Sequence, residues 1–479
     1  MNEEKLGRLE PVFYPKSIAV IGASPDERKY GSGYLHALVL SGYQGGIYAV
    51  NRVSGTCHGV HIYPSLNSIP NPVDFVIVAV PVASVLEVLD DCAAKGVKVV
   101  QFFTAGFRET GSEAGRSLET EMAKRAQQGG FRIIGPNCIG VYNPAVKIPY
   151  GQMEMVGEAG SVAFISQSGG HGGRLIGIGL DRGIKFSKVV SFGNACDLDC
   201  VDYLEYLAVD PQTKLIGAYL EGIQRGKRFL ELVRETVATK PLIVWKGGRT
   251  ETGAEAAASH TGSLASSYAV WKAALEQAGA LTVESLEEMV DTIIALEHMG
   301  ASAGRRVAIV SGLTGGGGGD SVSSTDTFVS IGLEVPRFTS STLSILETLL
   351  PSVGSILRNP LDIGSVGANL DTLRRTMDLV FADPGIDVVI VQQHIDMLLH
   401  SLSLEQVHAI NDVFIETWQA QSKPLAVVSP AWAAVTEGLE VESKLQSNHI
   451  PVYRNLEGAA RGIANTVRYN ERLKASTIA

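Results

Sequence analysis

Ser17-Ile-Ala-Val-Ile-Gly22-Ala-Ser24 decides the fold of this chain. Its first five residues are small or β-branched and mostly apolar, a run that suits a buried strand and is too short for a helix, and a glycine turn follows at once. The run predicts a strand, then Pro25-Asp-Glu-Arg28-Lys29-Tyr30-Gly31, then a helix from about Ser32 to Ser41. The pattern continues outward. Strands are expected at 46–50, 75–80 and 97–103, and helices at 84–95 and 115–128, before Arg132-Ile-Ile-Gly135-Pro136-Asn137-Cys138-Ile139-Gly140. Strands alternating with helices over short turns predict a parallel, doubly wound sheet.

The same grammar restarts twice. Near Gly160 a strand, Ser161 to Ser166, enters Gln167-Ser168-Gly169-Gly170-His171-Gly172-Gly173 and a helix. Strands at 186–191, 215–220 and 242–245 follow, with helices near 200–208 and 225–239, and this unit closes with the helices after His260. The third unit opens on strand Arg305 to Ser311 and the turn Gly312-Leu313-Thr314-Gly315 to Gly319. Strands at 388–392 and 425–429 and a last helix near 456–474 complete it. Gly300 to Gly304 reads as a linker, and the expected domains are 1–148, 149–300 and 301–479.

A chain of 479 residues is too long for one core. Its 52 glycines lack collagen periodicity and point instead to many tight strand-to-helix turns. A net charge of −10 without a long basic run argues against nucleic acid and anionic membranes as partners. The start shows no signal-peptide core, and no apolar run reaches membrane-spanning length. The five cysteines form no CxxC pair, and Cys196 and Cys200 have no histidine beside them to complete a zinc set. They read as reduced thiols of a cytoplasmic protein.

Gly22-Ala23-Ser24 stands where a Rossmann fold binds a pyrophosphate, but the second and third glycines of GxGxxG are missing. The second strand ends at Asn51-Arg52, not at the acid that binds a ribose 2′-hydroxyl, which counts against a nicotinamide dinucleotide. Arg28, Lys29 and Arg52 suit an additional phosphate, as coenzyme A or NADP carries, and suit solvated turns as well. Ser166-Gln-Ser168-Gly169-Gly170 and Thr314-Gly315-Gly316-Gly317 each place small residues at a helix N-terminus, where free N–H groups and the dipole favour an anion. Neither is a Walker A loop.

Thr252 to Ser263 contains, apart from Glu255, only small residues around one imidazole, His260, and reads as a loop that can carry that ring between partners. A phosphoryl group on a histidine needs the ring oriented, and Glu221, just past a strand end, is the candidate carboxylate. Asp197, Asp199 and Asp202 offer oxygens to Mg²⁺ and equally to a helix cap, so no metal site is assigned in the protein. His171 is a second imidazole in a glycine turn, without a named partner.

Taken in order, SIAVIGAS at 17–24, IIGPNCIGVYNP at 133–144, FISQSGG at 164–170, YLEGI at 219–223, KGGRTETGAEAAASHTGSLA at 246–265 and NPLDIG at 359–364 resemble the α subunit of ADP-forming acyl-CoA synthetases, the acetate–CoA ligases related to succinyl-CoA synthetase. The resemblance covers nearly the whole chain. It implies a CoA-binding Rossmann-like domain followed by two flavodoxin-like domains. It also implies the reversible reaction acid + CoA + ATP ⇌ acyl-CoA + ADP + phosphate, by way of an acyl phosphate and a phosphohistidine.

By position, that histidine is His260 and its orienting carboxylate is Glu221. Ser166, Ser168, Gly169 and Gly170, with Gly315, Gly316 and Gly317, correspond to the phosphate-binding turns. Gly22, Ala23, Ser24, Arg28, Lys29, Asn51, Val80, Pro81 and Asn137 correspond to the CoA site. The cofactors implied are coenzyme A, ATP/ADP and Mg²⁺, with a small carboxylic acid as substrate. The sequence departs from the family in two places. It contains no ATP-grasp domain, so the nucleotide is expected on a separate ATP-grasp β subunit, in an α2β2 assembly. Its third-domain turn reads Ser311-Gly-Leu-Thr-Gly-Gly-Gly-Gly-Gly319 where the family has a sequence close to TNAGGPG. Two alternatives stand beside this reading: a non-catalytic CoA-binding or regulatory protein, and an NADP-dependent oxidoreductase.

Overall fold

A computed structural model describes residues 2–255, 267–300, 303–313, 317–364 and 368–478. The chain divides into two compact units, Met1–Leu286 and Glu287–Ala479. The first unit contains two sheets and the second contains one.

The first sheet runs β3-β4-β2-β1-β5-β6-β7. Its strands are β1 (Ser17–Ile21), β2 (Gly46–Val50), β3 (Thr56–Cys57), β4 (Val60–Tyr63), β5 (Phe75–Val78), β6 (Val99–Phe102) and β7 (Arg132–Ile134). β1 lies between β2 and β5 in parallel register, with Ile18 opposite Ile47 and Phe75, and all five of its residues are buried. That is where a strand apolar on both faces must sit. Helices α2 (Tyr30–Ser41), α3 (Val85–Lys95) and α4 (Glu113–Gly129) connect the strands. β3 pairs antiparallel with β4, a short hairpin that the apolar pattern does not announce.

In the second sheet the order is β13-β12-β11-β9-β10-β8. Here β8 is Gly140–Tyr142, β9 Val162–Ser166, β10 Phe186–Ser191, β11 Leu215–Leu220, β12 Leu242–Lys246 and β13 Leu281–Val283. β8 pairs antiparallel with β10 and closes one edge, and the remaining pairs are parallel. Helices α5 (Gly169–Asp181), α6 (Cys200–Val209) and α7 (Gly226–Val237) follow β9, β10 and β11. The N-terminal helix α1 (Asn2–Phe13) is absent from the sequence reading. It packs on α6, with the Phe13 and Tyr206 ring centroids 4.7 Å apart. One apolar cluster runs from Ile18, Val20 and Tyr34 through Val141 to Ile165 and Ile216, so both sheets of this unit share a core.

The second unit holds β14 (Val307–Ser311), β15 (Ile356–Leu357), β16 (Leu361–Asp362), β17 (Val388–Gln392), β18 (Leu425–Val428) and β19 (Val452–Tyr453) in the order β15-β16-β14-β17-β18-β19, again parallel except for one edge pair. Its centre is β14, β17 and β18, each fully buried. The parallel α/β architecture expected from the sequence is therefore present in all three sheets. All five cysteines are free thiols, and burial pushes those of Cys92, Cys138, Cys196 and Cys200 up from their ordinary value. Among the described residues, no helix is long and apolar enough to cross a membrane.

Candidate active site

The site begins at the carboxyl ends of β1 and β5. Gly22 turns with φ 100°, and a Cβ there would lie 2.3 Å from the Ala79 carbonyl oxygen. A Cβ on Gly31, in the first turn of α2, would lie 2.4 Å from the carbonyl oxygen of Gly22. Helix and turn thus approach backbone to backbone, the role a later fingerprint glycine serves. Asn51 braces the turn, donating from Nδ2 to the Ala23 carbonyl at 2.7 Å. Arg28 pairs with Asp26 at 2.9 Å and Arg52 with Glu87 at 2.9 Å, all on the surface. Lys29 instead lines the cleft described below.

The second component is the N-terminus of α5. Ser168 is its N-cap and accepts from the His171 N–H at 3.3 Å, while buried Ser166 donates from Oγ to the Ser168 carbonyl at 2.6 Å. The first N–H groups of a helix have no partner within it. Gly169 and Gly170 carry two of them and line the cleft. The close fit of this turn explains its glycines: a Cβ on Gly169 would meet Ile139 Cγ1 at 2.4 Å, and one on Gly172 would meet Tyr150 Oη at 2.2 Å. Tyr150 Oη donates to the Gly169 carbonyl at 2.9 Å.

These two components face one cleft of about 740 Å³. Gly22, Lys29, Val80, Pro81 and Asn137 line it from the first sheet, and Ser168, Gly169 and Gly170 line it from the second. Ala23, Ser24, Arg28, Asn51 and Ser166 are not on its wall; Ala23 and Ser166 are buried beneath it. Main-chain contacts hold the two sides together. Asn194 N–H donates to the Pro136 carbonyl at 3.0 Å, and a Cβ on Gly193 would meet the Pro136 and Asn137 carbonyl oxygens at 2.3 and 2.4 Å.

Sequence reasoning missed two residues at this junction, Gln167 and Asn194. Gln167 accepts at Oε1 from the N–H groups of Glu221 and of Gly222, the latter at 2.9 Å. The amide NH2 of Gln167 is left as the donor at the cleft wall. Asn194 donates from Nδ2 to Glu109 Oε2 at 2.5 Å and to Glu119 Oε2 at 3.1 Å. Arg108 donates to Glu119 at 2.5 Å and to the Asn194 carbonyl at 2.5 Å. Burial opposes charge on Glu109, but hydrogen bonds from Gly106, Asn194 and Phe107 outweigh it and hold this carboxyl below its ordinary value. On Glu119 burial prevails over Arg108 and raises the value. The only sequence signal was that both amides fall in glycine-bearing turns directly after strands.

Glu221 follows β11 and is 8% exposed. Its carboxylate accepts from Tyr219 Oη at 3.1 Å, and its carbonyl accepts from Lys246 Nζ at 2.8 Å. Burial, then the charge of Glu221, push the Tyr219 phenol up, so it remains a donor. Burial also lowers the Lys246 ammonium. A Cβ on Gly247 would lie 2.5 Å from Tyr219 Oη and 3.1 Å from Glu221 Cγ, so the glycine leaves room for this arrangement.

His171 stands in the first turn of α5, its ring 4.5 Å from that of Tyr219 and 4.6 Å from that of Trp245. His260, Gly315 and Gly316 lie outside the described residues, and Gly317 opens helix Gly317–Ser330 of the second unit. The three aspartates do not fit a cation. Asp197 takes Arg132 at 2.9 Å and the Ile133 N–H at 2.8 Å, Asp199 caps α6, and Arg225 spans Asp199 and Asp202.

Residues 16–144 match the family model of a CoA binding domain, and residues 159–296 match that of a succinyl-CoA ligase like flavodoxin domain. The α subunit of the ADP-forming acetate–CoA ligase II of Pyrococcus furiosus is 36% identical over 94% of this chain and 96% of its own length. The chain belongs to the α-subunit family of ADP-forming acid–CoA ligases. An ADP-forming 4-hydroxybutyrate–CoA ligase of Nitrosopumilus maritimus is 31% identical over 97% of this chain and 65% of its own. The dinucleotide-forming acetyl-coenzyme A synthetase 1 of Ca. Korarchaeum cryptofilum, solved with phosphate and ADP, superimposes with a TM-score of 0.85 at 33% identity, covering 100% of both chains. As an α subunit of this ligase family, the chain works with a partner subunit. A purely regulatory role and an oxidoreductase find no support among these relatives.

Proposed function

We propose that this α subunit binds coenzyme A and the acid, and passes the phosphoryl group through His260 to a nucleotide held by an ATP-grasp partner in an α2β2 assembly. The supporting observation is the single cleft that joins Gly22, Lys29, Val80, Pro81 and Asn137 to the helix end at Ser168–Gly170. CoA lies across the first set, with its thiol directed to the second. Phosphate sits on the N–H groups of Gly169 and Gly170, where the α5 dipole favours its charge. In the direction of ATP synthesis, a phosphate oxygen attacks the thioester carbonyl, the C–S bond breaks, and CoA leaves as the thiol. The imidazole of His260 then takes the phosphoryl group from the acyl phosphate, freeing the carboxylate, and Glu221 holds the ring for in-line attack. Transfer to ADP on the partner completes the sequence. Splitting the transfer in two replaces one difficult displacement by two easier ones. Mg²⁺ accompanies the nucleotide on the partner. The domains divide at 1–148, 149–300 and 301–479, and the location is the cytoplasm.

The test mixes this chain with its partner subunit and labelled ATP. The expected product is an acid-labile, alkali-stable label on this chain that is absent from His260→Ala. A label that persists in the variant removes His260 from the mechanism.

A further inference from the structure

A second cavity, of about 610 Å³, adjoins the cleft in the same unit and shares Gln167 and Asn194 with it. Its wall is mainly apolar, built from Phe192, Ile223, Phe229, Leu230, Trp271 and Ala274. The charges that reach it are already paired. Asp199 is bound to Arg225, and Arg108 is bound to Glu119. The cavity therefore offers shape and apolar surface, and the two charged side chains on its wall are each engaged in an ion pair. At the boundary stands Gln167, whose Oε1 is occupied by two main-chain N–H groups and whose NH2 remains to donate.

This geometry orders an acyl phosphate from end to end. With the phosphoryl group on Gly169 and Gly170, the carbonyl comes to the Gln167 amide and the hydrocarbon enters the cavity. An acetyl methyl would leave almost all of 610 Å³ empty, whereas cavities of this volume enclose ring-sized ligands. Trp271 presents an aromatic wall, and its ring is held in place by Lys246 Nζ at 5.2 Å from the ring centroid.

We infer that this cavity is the acyl pocket and that the preferred acid carries a ring or a branched apolar chain. Ile223 and Ala274 set the size limit from two separate elements. The inference rests on the proposed acid–CoA ligase reading and deepens it by naming the substrate class.

The experiment titrates the full chain with phenylacetate, isovalerate and acetate by tryptophan fluorescence and calorimetry, with CoA titrated in parallel. Burying a ring or branched chain in place of a methyl should tighten binding roughly 10- to 50-fold over acetate. Ala274→Phe fills the cavity and should weaken both bulky acids at least tenfold with CoA binding unchanged. Ile223→Trp fills it from a separate element and serves if the first variant misfolds, the retained CoA affinity reporting the fold. Bulky acids that bind no better than acetate, or that bind a folded filled variant as well as the wild type, overturn the pocket while the CoA-ligase reading stands. A wild-type chain that binds no CoA overturns the ligase reading itself, and the acyl pocket with it.

Discussion

Replacing Gln167 by alanine separates what this residue holds from what it donates. Its Oε1 is the acceptor for two consecutive main-chain N–H groups, those of Glu221 and Gly222, and the side chain is 9% exposed. Alanine strips both donors of their partner in the turn that carries the proposed orienting carboxylate. An unsatisfied buried donor costs about 1–3 kcal/mol. Glu221 is buried and its loss lies near the upper end, while half-buried Gly222 borders a cavity that water can enter and its loss lies near the lower end. The sum is about 3–4 kcal/mol. Domains at the long end of the usual range shift by about 2 °C per kcal/mol, so melting should fall by about 6–8 °C. Gln167→Glu keeps the acceptor and strengthens it by charge, but exchanges the free NH2 for a carboxylate oxygen beside an anion site. That variant should melt closer to wild type than the alanine variant and yet lose acyl-CoA formation at least as severely. The assay is differential scanning calorimetry together with thioester formation in the presence of the partner subunit. An alanine variant that melts within about 1 °C of wild type, outside the range expected for lost buried hydrogen bonds, refutes the bracing argument. A fully active glutamate variant refutes the donor argument.

Three further outcomes follow from the same geometry. Glu221→Gln still accepts from Tyr219 and should fold normally, yet slow phosphorylation of His260 by about 10–100-fold in rapid-quench labelling, the usual loss when an orienting partner is removed. Lys188 and Asp210 form a buried pair at 2.7 Å, 1% and 3% exposed, so Asp210→Ala should cost about 3–5 kcal/mol in denaturant unfolding by leaving an ammonium without its counter-charge. Lys188→Met together with Asp210→Leu, which removes both charges, should recover much of that loss. Burial, then the neighbouring His449, hold His298 below its ordinary value of 6.5. Between the two values the unfolded chain binds the additional proton, so stability should fall as pH drops below 6.5 and be flat in this respect above it. Melting curves from pH 8 to 5 should show that slope, and His298→Gln should reduce it.

The central strands were legible because each is a short apolar run ending at a glycine or a small polar residue, as Ser17–Ile21, Val162–Ser166 and Val307–Ser311 show. The N-terminus of α5, proposed to bind phosphate, was legible for the same reason. Helix α1 was not. It contains Pro11, which weakens the helical signal, and its contacts are with α6, far along the chain: Tyr14, just beyond it, reaches Gln212 across 198 residues. Nor was the role of Gly31. A fingerprint search expects the close-approach glycine within a few residues of Gly22, and here a longer turn displaces it to the start of α2. Arg28 and Arg52 looked suited to a phosphate because the sequence does not show the acids, Asp26 and Glu87, that meet them across the turn and from α3.

Gln167 and Asn194 show the deeper limit. A side-chain amide after a strand is most often a solvated turn residue, and nothing local marks either as different. Gln167 becomes a brace only when β9 and β11 lie side by side, bringing Glu221 to it across 54 residues. Asn194 acquires its role through two acids beyond β6, Glu109 in the loop and Glu119 in α4, whose Oε2 atoms both accept from its one Nδ2. One amide thus separates two carboxylates that would otherwise repel, and Arg108 supplies the balancing charge to Glu119 and anchors the Asn194 carbonyl. The wall between the helix end at Ser168–Gly170 and the apolar cavity therefore belongs to neither sheet alone. Its position depends on loop 104–110 of the first sheet as much as on the loop after β10. On the proposed placement of CoA and acid, a change made at that wall alters the hold on both, whereas changes at Ile223 or Ala274, remote from the shared amides in sequence and absent from the cleft, are expected to act on the acid alone.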